Sequence, residues 1–408
     1  MLKKFIIVLI FSITDSFALD IKIIGNDRTS DDVILVEIKD FLDPLSLTDI
    51  KRRLFNLRLF SKVKVTKNQN KLFIKVEERW TTIPIFQVSG GGGSSYFSVG
   101  AYDINVAGLN LEMGAQYESL NNRPAGVMWF RKPQFLKNRT LRFGADFWNI
   151  NRIRFLFNED GSDNGAFTLE RTRINTFIEK TYQDDTFLFR LSLDHQRDKV
   201  SEEELSDKQL AINDQNSFHP HFSSTNNFYR FIFHWGRLDY ENYLVKGSRL
   251  LFRNSIIEEN LTEKKRFLNR VEVRFNHYSL IRKTDNFAFQ LYATQTNQEQ
   301  IQYQNYIGGL SEVRGYRDGQ FTSDGYIQSN IEYRFNLYEI SYGLLQGCFF
   351  SDQAREFDAT DKDPLLSSGV GVRIISPKIF RFVGRIDYAQ THTRFINQNI
   401  SFGVQQFF

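Results

Sequence analysis

Hydrophobic and polar residues alternate with a period of two along most of the chain, which is the spacing of side chains on the two faces of a β-strand. In the segment 326–335, Ile331 and Tyr333 fall on one face, whereas Glu332 and Arg334 fall on the other. Each alternating segment is about the 9–11 residues that a tilted strand needs to cross a bilayer. The pattern therefore predicts a mainly β protein whose strands have one apolar and one polar face.

Residues 83–408 contain sixteen such segments, an even number as in the closed barrels of bacterial outer membranes. We predict strands that begin near residues 83, 96, 109, 125, 140, 167, 187, 227, 249, 267, 287, 326, 340, 368, 379 and 399. The alternative is a soluble sandwich with the apolar face as its core, which would leave a strongly charged sheet face over more than 300 residues. We favour an antiparallel transmembrane barrel.

The predicted connections differ in length in a regular way. Long connections follow the fifth, seventh, eleventh and thirteenth strands, at residues 151–166, 201–226, 297–325 and 353–367. Connections after even-numbered strands are short, such as residues 183–185 and 376–378. Because barrels of this kind place short turns in the periplasm and long loops outside, the segment before the first strand is expected in the periplasm.

Residues 19–80 have a different pattern and predict a small α+β domain of order β-α-α-β-β. A short strand at 20–24 ends at a turn, and Thr29 or Ser30 can cap the first helix. Ser46 can cap a second helix, which two strands at 62–67 and 71–77 follow. About 60 residues give only a marginal core.

The first 18 residues have the features of a secretory signal peptide. Lys3 and Lys4 precede nine apolar residues, and Ser16 and Ala18 are small residues at the positions that a signal peptidase reads. A retained anchor helix is the alternative, but nine apolar residues are about half of what a spanning helix needs. We expect residues 1–18 to be removed from the exported protein.

Composition and charge exclude several functional classes. The formal charge of +4 is too small to indicate nucleic acid as the main partner, and the single cysteine, Cys348, excludes a disulfide framework and any multi-cysteine metal site. Asp194 and His195 are neighbours on opposite strand faces and so form no catalytic pair. Neither a catalytic set nor a cofactor is implied, and we predict that the protein is not an enzyme.

The motif Val313-Arg314-Gly315-Tyr316 lies between the predicted eleventh and twelfth strands. Alone it is also compatible with an ordinary turn in which Gly315 supplies a free backbone. Here a signal peptide, a small domain and eleven predicted strands precede the motif, and five strands follow it. This arrangement resembles the BamA/TamA outer-membrane assembly superfamily. The resemblance implies one periplasmic polypeptide-transport-associated (POTRA) domain, at residues 19–80, followed by a sixteen-stranded barrel.

The resemblance implies that the motif folds back into the barrel lumen and that its arginine pairs with acids of the inner wall. The matching residues are Arg314, Glu332 and Asp352. Glu332 lies on the polar face of its predicted strand, as a lumen acid must, although either acid could instead be a solvated lumen charge. One departure is Ala354, where a glycine is usual.

The resemblance also directs attention to the two ends of the barrel sequence. Gly90, Gly91, Gly92 and Gly93 end the first strand, where it meets the last strand at a seam that opens sideways for client strands in this family. The run lacks the Lys-Ser/Thr of a phosphate loop, and a flexible hairpin tip is the alternative. Ser401, Gly403 and Phe408 match the C-terminal signal of barrel proteins.

The function that these features imply is insertion or translocation of unfolded client polypeptides at the outer membrane. A POTRA edge strand would accept the client by β-augmentation, and the seam would let client strands pair before release into lipid. Periplasmic chaperones or accessory proteins are further expected partners. A secretion pore for one dedicated exoprotein, or a passive channel or surface barrel that kept the fold, are the alternatives.

Overall fold

The computed structural model describes residues 19–91, 94–158, 160–241, 244–261, 265–282, 284–297, 301–309, 312–340, 343–359, 361–375, 383–394 and 396–404. The predicted signal peptide lies outside these residues. The chain forms two compact units, one that ends at Thr81 and includes Ala107–Asn110, and one made of Thr82–Val106 and the residues from Leu111 onwards. Each unit is described separately below.

The N-terminal unit has the predicted order β-α-α-β-β. Its elements are β1 (Asp20–Ile24), α1 (Asp31–Ile38), a 3-10 turn (Lys39–Phe41), α2 (Leu47–Asn56), β2 (Phe60–Asn68) and β3 (Lys71–Glu78). The strands form a sheet of order β1-β3-β2, with β1 parallel and β2 antiparallel to β3. The side chains of Ser30 and Ser46 cap the two helices, since their hydroxyls accept hydrogen bonds from the first-turn N–H groups of Asp32 and Asp49.

The core of this unit is small and contains one buried ion pair. Ile34, Ile50 and Leu72 have no solvent exposure, and an Nη2 of Arg53 lies 2.7 Å from an oxygen of Glu37. Arg58, which stands where a glycine commonly ends the helix, adopts φ +64°, the left-handed conformation that glycine accepts without steric cost. The chain reverses there without a glycine.

The second unit is a closed antiparallel barrel of sixteen strands, as predicted. Its strands are β4 (Thr82–Gly91), β5 (Ser94–Asp103), β6 (Glu112–Leu120), β7 (Arg123–Lys132), β8 (Leu141–Phe157), β9 (Asp163–Tyr182), β10 (Phe187–Ser201), β11 (Phe222–Glu241), β12 (Leu244–Leu261), β13 (Lys265–Leu280), β14 (Asn286–Thr296), β17 (Gly325–Ile340), β18 (Gly343–Glu356), β19 (Leu365–Ile375), β20 (Val383–Thr391) and β21 (Gln398–Val404). The predicted starts agree with these to within five residues, although the predicted start at 379 and the predicted connection 376–378 themselves lie outside the described residues. The small hairpin β15 (Asn305–Ile307) and β16 (Phe321–Ser323) lies between β14 and β17.

The two faces of the strands are distributed as the alternation predicts. Leu191 and Leu193 of β10 are exposed on the outer surface, whereas Asp194, on the opposite face of the same strand, is buried. On β17, Ile327 is exposed while Glu332 is completely buried. An apolar outer face and a polar interior are the arrangement of a barrel in lipid, and a sandwich with an apolar core is excluded.

Two of the predicted long connections are wrong because the strands continue through them. Residues 151–157 and 163–166 belong to β8 and β9, which leaves only residues 158–162 between them, and the predicted connection 353–367 shrinks to 357–364. The connection predicted at 201–226 contains a helix, α3 (Asp207–Gln215). Two short 3-10 turns lie at Val106–Gly108 and Phe135–Lys137. Among the described residues, no helix has the length and apolarity to cross a bilayer.

Candidate functional site in the barrel lumen

The connection between β14 and β17 folds into the barrel and carries the Val-Arg-Gly-Tyr motif. Val313 and Tyr316 are buried in one apolar cluster with Phe321 of β16 and Leu365 of β19. Gly315 has φ +96°, and a Cβ at this position would lie 2.9 Å from Thr391 Cγ2. The glycine therefore serves both the backbone conformation and the close approach of the loop to the barrel wall.

The structure brings Arg314 together with Glu332 and Asp352. The Arg314 Nε and Nη2 atoms donate to the two Asp352 oxygens at 2.7 and 2.9 Å, and the Arg314 backbone N–H donates to Asp352 Oδ2 at 3.2 Å. Nη1 of Arg314 donates to Glu332 Oε1 at 2.6 Å. All three side chains are almost completely buried. A bidentate pair of this kind fixes both the orientation and the position of the guanidinium.

Around this pair lies a larger network that the sequence did not indicate. Asp387 of β20 lies 3.5 Å from Arg314 Nη1 and accepts a 2.5 Å hydrogen bond from Arg373 Nη1. Glu332 also accepts from Arg373, at 3.3 Å, and from Arg334 Nε, at 2.7 Å. With Arg385 Nη1 at 3.5 Å from Asp387, four guanidinium groups share three carboxylates.

The electrostatics of the network hold Arg314 in its charged form. Burial alone would lower its pKa, but the carboxylates of Asp352 and Glu332 raise the pKa of Arg314 well above its ordinary value. The guanidinium carbon also lies 3.5 Å from the centre of the Phe350 ring, a cation–π contact. The loop is therefore attached to the wall by a permanent buried charge.

Two glycines of the segment Gly369-Val370-Gly371-Val372-Arg373 make room for this network. A Cβ on Gly371 would lie 2.1 Å from Asp387 Oδ1, and one on Gly369 would lie 2.4 Å from the Phe350 ring. Both distances are shorter than any normal contact, so a side chain at either position would displace the network. The wall of β19 is glycine-rich because the ion pairs lie directly on its backbone.

Tyr316 joins the motif to the start of β19 and to the connection that follows β20. Its hydroxyl donates to the Thr393 carbonyl oxygen at 2.8 Å and accepts from the Leu366 N–H at 3.2 Å. Asn397 Nδ2 donates to the Gly315 carbonyl at 3.2 Å. Ala354, where a glycine was expected, lies in the regular β17–β18–β19 ladder, so the alanine leaves the strand regular.

The predicted seam lies at the junction of β4 and β21. Phe402 of β21 pairs in register with Gly90 of β4, so these two strands meet at the first of the predicted glycines. Gly91 ends β4, and Gly92 and Gly93 lie outside the described residues. Glycines weaken strand pairing because they offer no side chain to pack.

The described part of the C-terminal signal belongs to β21. Ser401 pairs in register with Asp387, and Gly403 pairs with Arg385. A Cβ on Gly403 would lie 3.3 Å from Arg385 Nε and from Ser89 Cβ, which is a tight contact. Phe408 lies outside the described residues.

Comparison with known proteins gives one family and several similar folds. The Omp85 superfamily domain matches residues 105–408. BamA from Haemophilus ducreyi lacking POTRA domains 1-3 is similar in structure, with a TM-score of 0.64 and 15% identity over 95% of this chain and 85% of that one. CdiB from Acinetobacter baumannii has a TM-score of 0.65 and 13% identity over 96% and 74% of the two chains. CdiB from Escherichia coli has a TM-score of 0.63 and 10% identity over 95% and 76%.

At these identities the solved structures establish the fold alone, and a search among curated proteins found no match. The family match covers most of the chain, including the motif, the acids of the network and β21. The barrel and its lumen loop agree with that match. The chain belongs to the Omp85 superfamily.

Proposed function

We propose that this protein inserts or translocates client polypeptides, with its N-terminal unit as the docking domain and the β4–β21 junction as a lateral opening. As a member of the Omp85 superfamily, it is a non-enzymatic outer-membrane barrel with a general role in protein assembly or translocation. The superfamily thereby confirms the prediction that it is not an enzyme. The proposal adds a route for the client.

The observation that carries the proposal is that β4 meets β21 at a glycine, since Gly90 pairs in register with Phe402. Gly91 follows Gly90 and ends β4, so two successive glycines lie at the end of this strand. Glycines offer no side chain to pack against a neighbouring strand, so we infer that this junction opens at a lower cost than a junction with larger side chains. Its opened edges would offer free N–H and C=O groups to a client strand.

The N-terminal unit supports the docking step. We assign it as a periplasmic POTRA domain on its β-α-α-β-β order. Strand β2 forms one edge of the sheet β1-β3-β2, is nine residues long, and exposes Lys64 and Thr66. An extended client adds to such an edge by main-chain hydrogen bonds, which do not depend on its sequence.

A disulfide across the junction tests the lateral opening. In a Cys348→Ala background, Gly90→Cys with Phe402→Cys places two thiols at directly opposed positions of β4 and β21. The matched control is Val372→Cys with Ile386→Cys, a directly opposed pair between β19 and β20. We expect the first disulfide to stop client assembly or secretion, reversibly on reduction, and the second to have no effect. Full activity with the first disulfide formed would remove the seam from the mechanism.

Photo-crosslinking in living cells identifies the client class. A photo-crosslinking residue is placed at Thr66 on the β2 edge or, as the control, at the exposed Asp32 on α1. The polypeptides captured at the two positions are identified by mass spectrometry and compared. Precursors of several barrels captured at Thr66 alone would support general assembly. One exoprotein would indicate a dedicated secretion pore, and capture of no polypeptide would favour a passive barrel.

A further inference from the structure

The barrel encloses a cavity of about 1260 Å³ whose lining is strongly cationic. Of the described residues that line it, eleven are arginines, none is a lysine, and four are acids. Six of the arginines lie on the four adjacent strands β10 to β13: Arg190, Arg230, Arg249, Arg253, Arg270 and Arg274. The cavity lies apart from the motif network, to which it contributes only Arg385.

The carboxylates that face these strands are shared, which leaves a surplus of positive charge. Arg253 and Arg270 both approach Glu272, at 2.8 and 4.0 Å. Arg249 and Arg274 are exposed to the lumen, and neither has a carboxylate within salt-bridge distance among the described residues. Arg274 instead lies over the Tyr292 ring at 4.9 Å.

The register of the strands arranges the guanidinium groups along the barrel wall. Arg249, Leu251 and Arg253 follow one another at alternate positions of β12, and on β13 Arg274 lies opposite Leu251 while Arg270 lies opposite Ser255. Alternate residues of a strand are about 7 Å apart along it. The arginines of β12 and β13 therefore alternate along the wall, and one guanidinium group follows the next about every 7 Å. Alternate side chains of any extended polypeptide have the same spacing, so an extended chain with acids at every second residue matches this arrangement.

The chain itself already places acids in this cavity. Glu312 and Asp318, which flank the motif in the lumen loop, both line it. Guanidinium groups match carboxylates in geometry better than ammonium groups do, which agrees with the exclusive use of arginine. We propose that the β10–β13 wall binds an extended acidic segment of the client polypeptide. This proposal rests on the proposed function and adds that a segment of the client enters the lumen.

Peptide binding to the purified full-length protein in detergent tests the proposal without any need for client assembly. The probes are fluorescein-labelled peptides of sequence (Glu-Thr)4, (Gln-Thr)4 and (Lys-Thr)4. Their binding is measured by fluorescence anisotropy at two salt concentrations. We expect (Glu-Thr)4 alone to bind, and to bind more weakly at high salt because solvent-exposed charges are screened. Equal binding of the Glu and Gln peptides would overturn the proposal, as would binding of inorganic tripolyphosphate without binding of (Glu-Thr)4.

Arginine variants locate the site. Arg249→Gln with Arg274→Gln should weaken (Glu-Thr)4 binding about tenfold, because each exposed ion pair contributes up to a factor of about five. Arg197→Gln is the matched control, since Arg197 lies on the outer face of β10. Each single variant is measured as well. A difference in gel mobility between unboiled and boiled samples (heat-modifiability) shows that the barrel is folded. An unchanged affinity in the folded double variant would overturn the assignment to this wall. Repeating the assay with the β4–β21 disulfide closed separates failure of this site from failure of the seam.

Discussion

Arg314 and Asp352 are joined by three hydrogen bonds, two from the guanidinium and one from the Arg314 backbone N–H. The side chain and the main chain of the loop are thus held by one carboxylate of β18. Both side chains are buried, with 1% and 0% exposure. The position of the lumen loop therefore depends on a pair that cannot be replaced by water without a large cost.

We expect Arg314→Ala to release this loop. Removal of the guanidinium leaves Glu332 and Asp352 without their shared cation, and breaking a buried pair in this way costs about 3–5 kcal/mol. The measurements are protease cleavage within residues 297–325 and the temperature at which the folded band converts to the unfolded band on a gel. Wild-type behaviour in both would reduce the motif to an ordinary turn.

Arg314→Lys separates charge from geometry. Lysine keeps the positive charge but lacks the planar fork that reaches both Asp352 oxygens and Glu332 at once. We expect protease resistance between those of the wild type and of Arg314→Ala. Full rescue by lysine would show that charge alone holds the loop.

Gly371→Ala should disturb the network from the strand backbone. Its new Cβ would lie 2.1 Å from Asp387 Oδ1 and 2.6 Å from Arg373 Nη1, so the ion pair must move. Gly384→Ala on the neighbouring strand is the control, because no atom of the described residues would lie closer than 4.0 Å to its Cβ. We expect a lower conversion temperature for the first variant only. Equal temperatures for the two alanine variants would show that the network tolerates displacement.

The sequence predicted the strand number well and the connections poorly, for one physical reason. Alternation is required wherever a strand faces lipid, so all sixteen strands were found within five residues of their starts. Beyond the bilayer the outer face no longer needs to be apolar, and the signal fades although the strand continues. Arg152 and Arg154, for example, were assigned to a connection but lie at alternate positions of β8.

The network shows a second limit of local patterns. Glu332 could be placed in the lumen because it lies on the polar face of its strand. Asp387 and Arg373 also lie on polar faces, but what brings them to Arg314 is the register among β17, β18, β19 and β20. Register depends on hydrogen bonds between strands that are far apart in sequence, and alternation within one strand carries no information about it.

Deletion of residues 19–80 should leave a barrel that inserts but lacks activity. In the described part of the chain the sixteen strands pair only with one another, so we expect membrane burial not to require the N-terminal sheet. Heat-modifiability of the truncated protein checks insertion, and client assembly or secretion checks function. Full activity of the folded, truncated barrel would remove the docking domain from the proposed mechanism.

A double-mutant cycle on Glu332 and Arg373 tests whether the buried network acts as one unit. Glu332→Gln leaves four guanidinium groups with two carboxylates, and we expect it to lower the stability of the barrel and to loosen the loop. Arg373→Met removes one of the cations that face Glu332, since Arg373 Nη2 lies 3.3 Å from Glu332 Oε1. Methionine keeps much of the length of the arginine side chain without its charge. In the Glu332→Gln background this second change relieves positive charge, so it should cost less than it does in the wild type. Contacting residues of one ion-pair network show coupling of about 0.5–3 kcal/mol, measured here from the free energies of unfolding in urea. Costs that simply add would mean that Arg373 stabilises the wall independently of Glu332 and that the anchor of the loop is limited to Arg314 and Asp352.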